Sequence, residues 1–181
     1  MNIGLTGNFA SGKGEAAKIL KKLGFSYHSL SDVIREELRK DGKSTSRANM
    51  TIKGNLLREQ FGPRALSLKI KESIKDGDNV IDSIRNPFEA EELKTLGDFH
   101  LIGIDAPIES RFLRLKKRGR KGDVKTLEEL KAAEKLENKD VYTNQQLDRT
   151  MAMADMIIIN DSTKKALKAK ILNAINDWKK K

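Results

Sequence analysis

The chain has 181 residues, 38% of them hydrophobic, and no Cys; that suffices for one core and excludes disulfides, thiolate metal centres and cysteine nucleophiles. Its formal net charge of +10 favours polyanionic partners such as nucleotides or nucleic acid. No stretch is apolar over the roughly 18 residues that a membrane span needs, and no leader-like segment precedes the first strand. The reading is therefore one cytoplasmic domain over residues 1–181 without a membrane partner, its oligomeric state unspecified.

The first predicted element is a short apolar strand, Ile3-Gly4-Leu5-Thr6, which runs straight into Gly7-Asn8-Phe9-Ala10-Ser11-Gly12-Lys13-Gly14. This is the spacing G-x-x-x-x-G-K between strand and helix, the context in which a Gly-rich turn wraps backbone N–H groups around phosphate oxygens. The usual Ser or Thr after the Lys is Gly14. Ala16, Ala17, Ile19, Leu20 and Leu23 give the following helix one apolar face. A second strand spans Phe25 to Leu30, and Ser31-Asp32 reads as the N-cap of a helix from Val33 to Lys40 that ends at Asp41-Gly42.

Ser44 to Gly77 reads as two helical pieces split at Gly62-Pro63, with Ile52, Leu56 and Leu57, then Ala65, Leu66, Leu68, Ile70 and Ile74, as apolar positions. It contributes no strand, so residues of about 31–77 form an inserted helical flap. A third strand covers Asn79 to Ile84, a helix Phe88 to Leu96, a fourth strand His100 to Ile104 and a helix residues 108–118. A long stretch to about Asn144 separates that helix from one holding Gln145, Gln146 and Arg149. The fifth strand is Asp155 to Asn160, and Leu167, Ile171, Ile175 and Trp178 mark a terminal helix. Strands alternating with helices predict an α/β fold, a five-stranded parallel sheet covered on both faces. His28 and His100 fall within strands and read as structural.

In such sheets ligands sit beyond the carboxyl ends of the strands, and polar residues follow each one. The first delivers the loop, the second Ser31, Asp32 and, a helical turn on, Arg35. The third delivers Asp82 and Arg85, the fourth Asp105, and the fifth Asn160 and Asp161. Phosphoryl transfer needs backbone donors and cations that position two phosphorylated groups and neutralise spreading charge. Lys13 is the candidate for the donor's terminal phosphates. Arg35 and Arg85 suit forked contacts to an acceptor phosphate. Asp82 is the candidate for holding magnesium through water or for accepting an acceptor hydroxyl's proton.

Between Arg111 and Lys125 the chain carries eight basic residues and one acid, Asp123, with Gly119 and Gly122 as punctuation. This segment, about 118–145, reads as a lid that brings Arg114, Arg118 and Arg120 over the transferring group and excludes water.

Several blocks resemble the adenylate-kinase branch of the nucleoside monophosphate kinases: the loop ending Gly12-Lys13-Gly14, Ser31-Asp32-Val33-Ile34-Arg35, and Asp82 to Arg85. Asn8 to Lys18, Ser29 to Glu37, Val80 to Leu93, Arg114 to Gly119 and Ala154 to Asp161 are more similar still to archaeal adenylate-kinase-related proteins and to the kinase-like domain joined to some deoxycytidylate deaminases. The resemblance implies a P-loop kinase fold with a flap that binds a nucleoside monophosphate and a lid. It implies ATP and Mg2+ as cofactors, and a (deoxy)nucleotide as acceptor. Gly7 to Glu15, Arg114 and Asn160 would hold ATP, and Ser31, Asp32, Arg35, Arg85, Arg120 and Arg149 the acceptor. Lys13, Asp82, Arg85 and Arg118 would carry the transfer.

Adenylate kinases also have Gly at the position of Gly14, but follow it with Thr where this chain has Glu15. Ile3 to Gly7 and Ala154 to Asn160 resemble dephospho-coenzyme A kinase, whose loop ends G-K-S, against Gly14 here. A third reading is a nucleotide-dependent nucleic-acid-binding or regulatory module. The charge suits it, but 5% aromatic residues leave little for base stacking.

Overall fold

The computed structural model describes residues 1–119, 123–136, 138 and 141–180. Five parallel strands form one sheet in the order β2-β3-β1-β4-β5. They are β1 (Asn2–Thr6), β2 (Ser26–Ser29), β3 (Asn79–Asp82), β4 (Phe99–Asp105) and β5 (Met156–Ile159). Central β1 pairs on one side with β3, Ile3 against Val80, and on the other with β4, Ile3 against His100. The inner strands β1, β3 and β4 are apolar because helices cover both their faces, whereas at the sheet edges β2 is polar and largely exposed and β5 turns Ile157 and Ile159 outward.

One face packs on α1 (Lys13–Lys22) and α9 (Lys164–Lys179) through Ala16, Leu20, Ile171 and Ile175. The other packs on α2 (Leu30–Lys40), α3 (Arg47–Phe61), α4 (Ala65–Lys71) and α5 (Pro87–Lys94) through Leu30, Leu38, Leu57, Leu66 and Leu93. The helices after β1 and β3 thus depart to opposite faces, which opens a crevice between the carboxyl ends of these neighbouring strands. The Ile84 amide donates to the Leu5 carbonyl across it, so the loop after β1 and the turn after β3 lie side by side.

Four local expectations change. The second helix starts at Leu30 with Ser29 at its cap position and no side-chain cap bond. Ser31 and Asp32 therefore sit in the first turn rather than capping it. In α3 the inward residues are Gly54, Leu57 and Arg58, while Ile52 is 66% exposed. Gly54 sets this face, because a Cβ there would stand 2.9 Å from Ile34 Cδ1. After α6 (Ile108–Arg118), the stretch read as a lid contains a helix, α7 (Leu127–Leu136), with Leu130 fully buried. Gln145 and Gln146 precede α8 (Leu147–Ala152), with Gln146 at its cap position. Among the described residues no helix is long and apolar enough to cross a membrane.

Candidate active site

The loop between β1 and α1 is held open from outside by side chains that take its carbonyls. The Lys13 ammonium donates to the carbonyls of Gly7 and Asn8, the latter at 2.9 Å. Arg114 of α6 donates to those of Ala10 and Ser11 at 3.2 and 3.1 Å, and Asn160 Nδ2 to that of Ser11 at 2.7 Å. Arg114 also reaches the Asn160 carbonyl at 2.7 Å. With so many carbonyls engaged, a Gly-rich turn opening a helix can turn its amides to an anion.

Two glycines are required by this geometry. Gly7 has φ +138, and a Cβ there would lie 2.0 Å from the Ile104 carbonyl oxygen; Gly12 has φ +115, and its Cβ would meet Asn160 Nδ2 at 2.1 Å. Gly14 is different, since nothing lies within 4 Å of a Cβ built on it. Glu15, beside it, pairs with Lys164 at 3.2 Å.

A cavity of about 700 Å3 opens over this loop, and among its walls are Lys13, Glu15, Asp82, Arg114 and Lys117. A second, of about 320 Å3, lies toward the flap between α2 and α3 and includes Arg47, Met50, Arg58 and Leu66. Phe9, Ser31, Arg35, Ser83, Arg85 and Arg118 line both. Ser31 and Arg35 reach them together because residues i and i+4 share a helix face. Asp32 is turned away; it pairs with Arg35 but borders a separate recess with Glu36 and Arg39.

The turn after β3 is built with equal care. Ser83 has φ +69, unusual for a residue with a side chain, and its amide donates to Asp82 Oδ1 at 2.6 Å. Asp82 Oδ2 accepts from the Tyr27 hydroxyl at 3.2 Å; burial, then the Asp82 charge, push the Tyr27 phenol up to about 12. Below this turn, fully buried Glu89 accepts from the amides of Arg85 and Asn86 at 3.0 and 3.2 Å. It also pairs with the buried Arg58 of α3 at 2.7 Å. Arg85 Nη1 donates to Gln145 Oε1 at 3.3 Å. Asn86 Nδ2 donates to the carbonyls of Tyr142 and Asn144, each at 2.8 Å, so the segment before α8 docks on the β3–α5 turn.

Of the other expected residues, Arg118 is held by Asp123 in a two-pronged pair at 3.1 and 2.6 Å. Arg111, counted in the basic segment, is buried, pairs with Glu134 of α7 and donates to the Ala106 carbonyl at 2.8 Å. Arg149 Nη1 donates to Gln146 Oε1 at 3.0 Å and borders neither cavity. Arg120 lies outside the described residues. Sequence reasoning missed Arg47, Arg58, Glu89 and Asn86. The last two carried a legible signal, since Asn86-Pro87-Phe88-Glu89 spells a capping box with Pro at the first helical position.

For a divalent cation, no group of three or more acidic or His side chains is present among the described residues. Asp82 offers hard oxygen at the cavity wall, enough for an ion that takes most of its remaining ligands from phosphates and water. The residues fit magnesium on those terms, with Gly14 supplying no hydroxyl.

A family model for the AAA domain matches residues 6–131, from the end of β1 into α7. The chain is 36% identical over 171 residues to a UPF0200 protein of Pyrococcus abyssi, covering 90% of this chain and 89% of that one. It is 37% identical over 171 residues to the UPF0200 protein of Sulfurisphaera tokodaii, covering 93% and 92%. The chain belongs to the UPF0200 family. Among solved structures it is similar to a gluconokinase of Sinorhizobium meliloti, with a TM-score of 0.59 at 10% identity over 97% of this chain and 91% of that one. It is also similar to shikimate kinase of Aquifex aeolicus, with a TM-score of 0.54 at 18% identity over 98% and 97%. The APS kinase of Mycobacterium tuberculosis, in complex with AMPPNP and APS, gives 0.54 at 19% identity over 97% and 96%. At these identities the likeness shows the fold, an α/β P-loop kinase fold.

Proposed function

We propose that this chain is an ATP-dependent phosphotransferase whose acceptor is a (deoxy)nucleoside monophosphate, working in the cytoplasm as one domain. The observation that carries the reading is the pair of adjoining cavities, one over the Lys13 loop and one under the flap, with Arg35, Arg85 and Arg118 in the walls of both. A donor phosphate chain lies on Gly7 to Gly14, with Lys13 leaving the Gly7 and Asn8 carbonyls to meet the β- and γ-phosphates. Arg114 and Asn160 keep the loop in shape and border the nucleotide.

The acceptor's phosphate lies between Arg35 and Arg85, with Ser31 beside it. An oxygen of that phosphate forms a bond to the γ-phosphorus while the bond to the β–γ bridging oxygen breaks, and ADP leaves with that oxygen. Because the attacking atom is already an anionic oxygen, no side chain has to take a proton from it. Asp82 is therefore better placed as the water-mediated holder of Mg2+ than as a base. Magnesium, when bound, neutralises charge building on the phosphate oxygens. Arg118, released from Asp123, and Arg120 add positive charge as the lid closes. An acceptor hydroxyl in the same two cavities would need Asp82 as base, so the acceptor panel includes one.

The test is ADP release across ribo- and deoxynucleoside monophosphates, dephospho-coenzyme A and short oligonucleotides. Turnover of one or more nucleoside monophosphates is expected, with Lys13→Ala losing at least a hundredfold in kcat, about 3 kcal/mol, the scale of one preorganised donor. Turnover of dephospho-coenzyme A alone would replace the acceptor. ADP formation with none of them, or full activity in Lys13→Ala, would refute the kinase reading. Oligonucleotide affinity falling steeply with salt would instead favour the nucleic-acid module.

A further inference from the structure

The phosphate loop is strained at Ala10, and two arginines of α6 hold the peptide planes on either side of it. Ala10 has φ +54, in the left-handed region that a side chain disfavours and that persists only where the surroundings impose it. The carbonyl before it, of Phe9, accepts from Arg111 Nη1 at 3.5 Å, and its own accepts from Arg114 Nη1 at 3.2 Å. Arg111 and Arg114 stand three residues apart and so share one face of α6.

They differ in what sets them. Arg114 lies on the loop and on the Asn160 carbonyl, whereas Arg111 is 5% exposed and engages Glu134 of α7 with both ends of its fork, Nη1 on Oε1 and Nη2 on Oε2, the latter at 3.2 Å. Its Nε donates to the Ala106 carbonyl at 2.8 Å and lies 3.8 Å from Asp105 Oδ1, the oxygen that also accepts from Asn8 Nδ2 at 3.1 Å. With one cation between two carboxylates, what Arg111 gives the loop is geometry rather than field. Helix α7 is seated in turn by fully buried Leu130 and, past Glu134, by Asn138, which donates to the Glu134 carbonyl at 3.2 Å and accepts from the Asp148 amide of α8 at 2.8 Å.

We propose that Arg111 is a positioning residue of the phosphate loop and that Glu134 sets it, which makes α7, a helix within the segment read as a lid, part of the frame of the donor site. This rests on the kinase reading above and deepens it: donor affinity depends on a helix that borders neither cavity. Coupling of this kind needs a contiguous chain of contacts with two arrangements. Arg111 has both, since without Glu134 its guanidinium turns to its remaining carboxylate, Asp105, and leaves the Phe9 carbonyl.

Two measurements test this. Calorimetric titration with AMPPNP needs no turnover: Glu134→Gln and Arg111→Met each weaken binding about tenfold, the scale of one charge-assisted hydrogen bond. Arg111→Lys, which keeps the charge and cannot fork, does not restore it. Ile175→Ala, a core truncation in α9, lowers the thermal midpoint and leaves the affinity within about twofold, which separates the effect from general loss of stability. Because Glu134 acts through Arg111, the double variant Arg111→Met with Glu134→Gln binds no more weakly than Arg111→Met alone. Losses that add in the double variant, or wild-type affinity in Glu134→Gln, overturn the proposal.

The second measurement follows the backbone amide NMR signals of Asn8, Phe9, Ala10 and Ser11 without nucleotide. Glu134→Gln displaces those of Phe9 and Ala10 when Arg111 is present and leaves them in place in the Arg111→Met background. Signals that stay put in the first case, or move equally in both, refute the proposal. If the wild-type protein binds no AMPPNP, the donor reading falls, while the amide signals still decide whether Glu134 sets the loop through Arg111.

Discussion

The Arg58–Glu89 pair joins the flap to the turn that presents Arg85, and its removal in stages gives the sharpest test of how that turn is held. Both side chains are buried, Arg58 at 1% exposure and Glu89 at none. Glu89 accepts from Arg58 Nε at 2.9 Å and Nη2 at 2.7 Å, and from the amides of Arg85 and Asn86. Glu89→Gln retains an acceptor oxygen for the two amides and leaves the Arg58 charge unmatched. Breaking a buried pair on one side costs about 3–5 kcal/mol, so this variant should lose about 3. Glu89→Ala also orphans the two amides, at about 1–3 kcal/mol each before relaxation, and should lose more.

Arg58→Met added to Glu89→Gln removes the uncompensated charge and should recover at least half of the loss. The readout is the urea midpoint. At a slope of about 2 kcal/mol per molar, Glu89→Gln moves it down by about 1.5 M and the double variant brings it back. Glu89→Gln within 1 kcal/mol of wild type, or a double variant less stable than Glu89→Gln, would refute the account of a charge pair that holds the turn.

Two further outcomes follow from the same geometry. Gly12→Ala forces a side chain onto a φ of +115 and into Asn160, and should lower the thermal midpoint and nucleotide affinity, whereas Gly14→Ala enters open space in the first turn of α1 and should be neutral or slightly stabilising by scanning calorimetry. Of the two tyrosines, Tyr27 should ionise near pH 12 and Asp82→Asn should bring it down, as followed by absorbance near 295 nm; a wild-type curve unchanged by Asp82→Asn refutes the contact. Because burial and Asp82 raise the Tyr27 pKa on folding, its contribution to stability is fully present below pH 10 and lost as pH rises toward 12. Tyr27→Phe should flatten that part of the denaturation profile.

How much of this was legible differs from element to element. Strands β1, β3, β4 and β5 were found because apolar runs bounded by Gly, Asn and Asp carry their own local signal. The α6 boundaries, residues 108–118, also emerged from sequence, with Gly119 ending the helix in the left-handed region. The cap at Ser31-Asp32 did not, because capping depends on where the preceding strand stops, and β2 stops at Ser29. With Ser31 already inside the helix, Ser31 and Arg35 share the cavity face at i and i+4, and Asp32 does not. Helix α7 went unread although Leu-Glu-Glu-Leu-Lys-Ala-Ala-Glu-Lys-Leu is strongly helical, because the neighbouring basic run with Gly119 and Gly122 reads as a lid.

By itself the sequence determined what is local: a strand, a Gly-rich turn with Lys13, a helix, and the repetition of that alternation into a parallel sheet. Those follow from periodicity and turn chemistry over a few residues. Only the tertiary structure decided which distant residues meet. It put Arg47 on the face of Phe9, buried Arg58 against Glu89, and drew Arg111 away from the basic segment into a pair with Glu134. Such pairings depend on how helices from separate crossovers are stacked over the sheet. A guanidinium's partner is chosen by that packing, and spacing along the chain carries no trace of it.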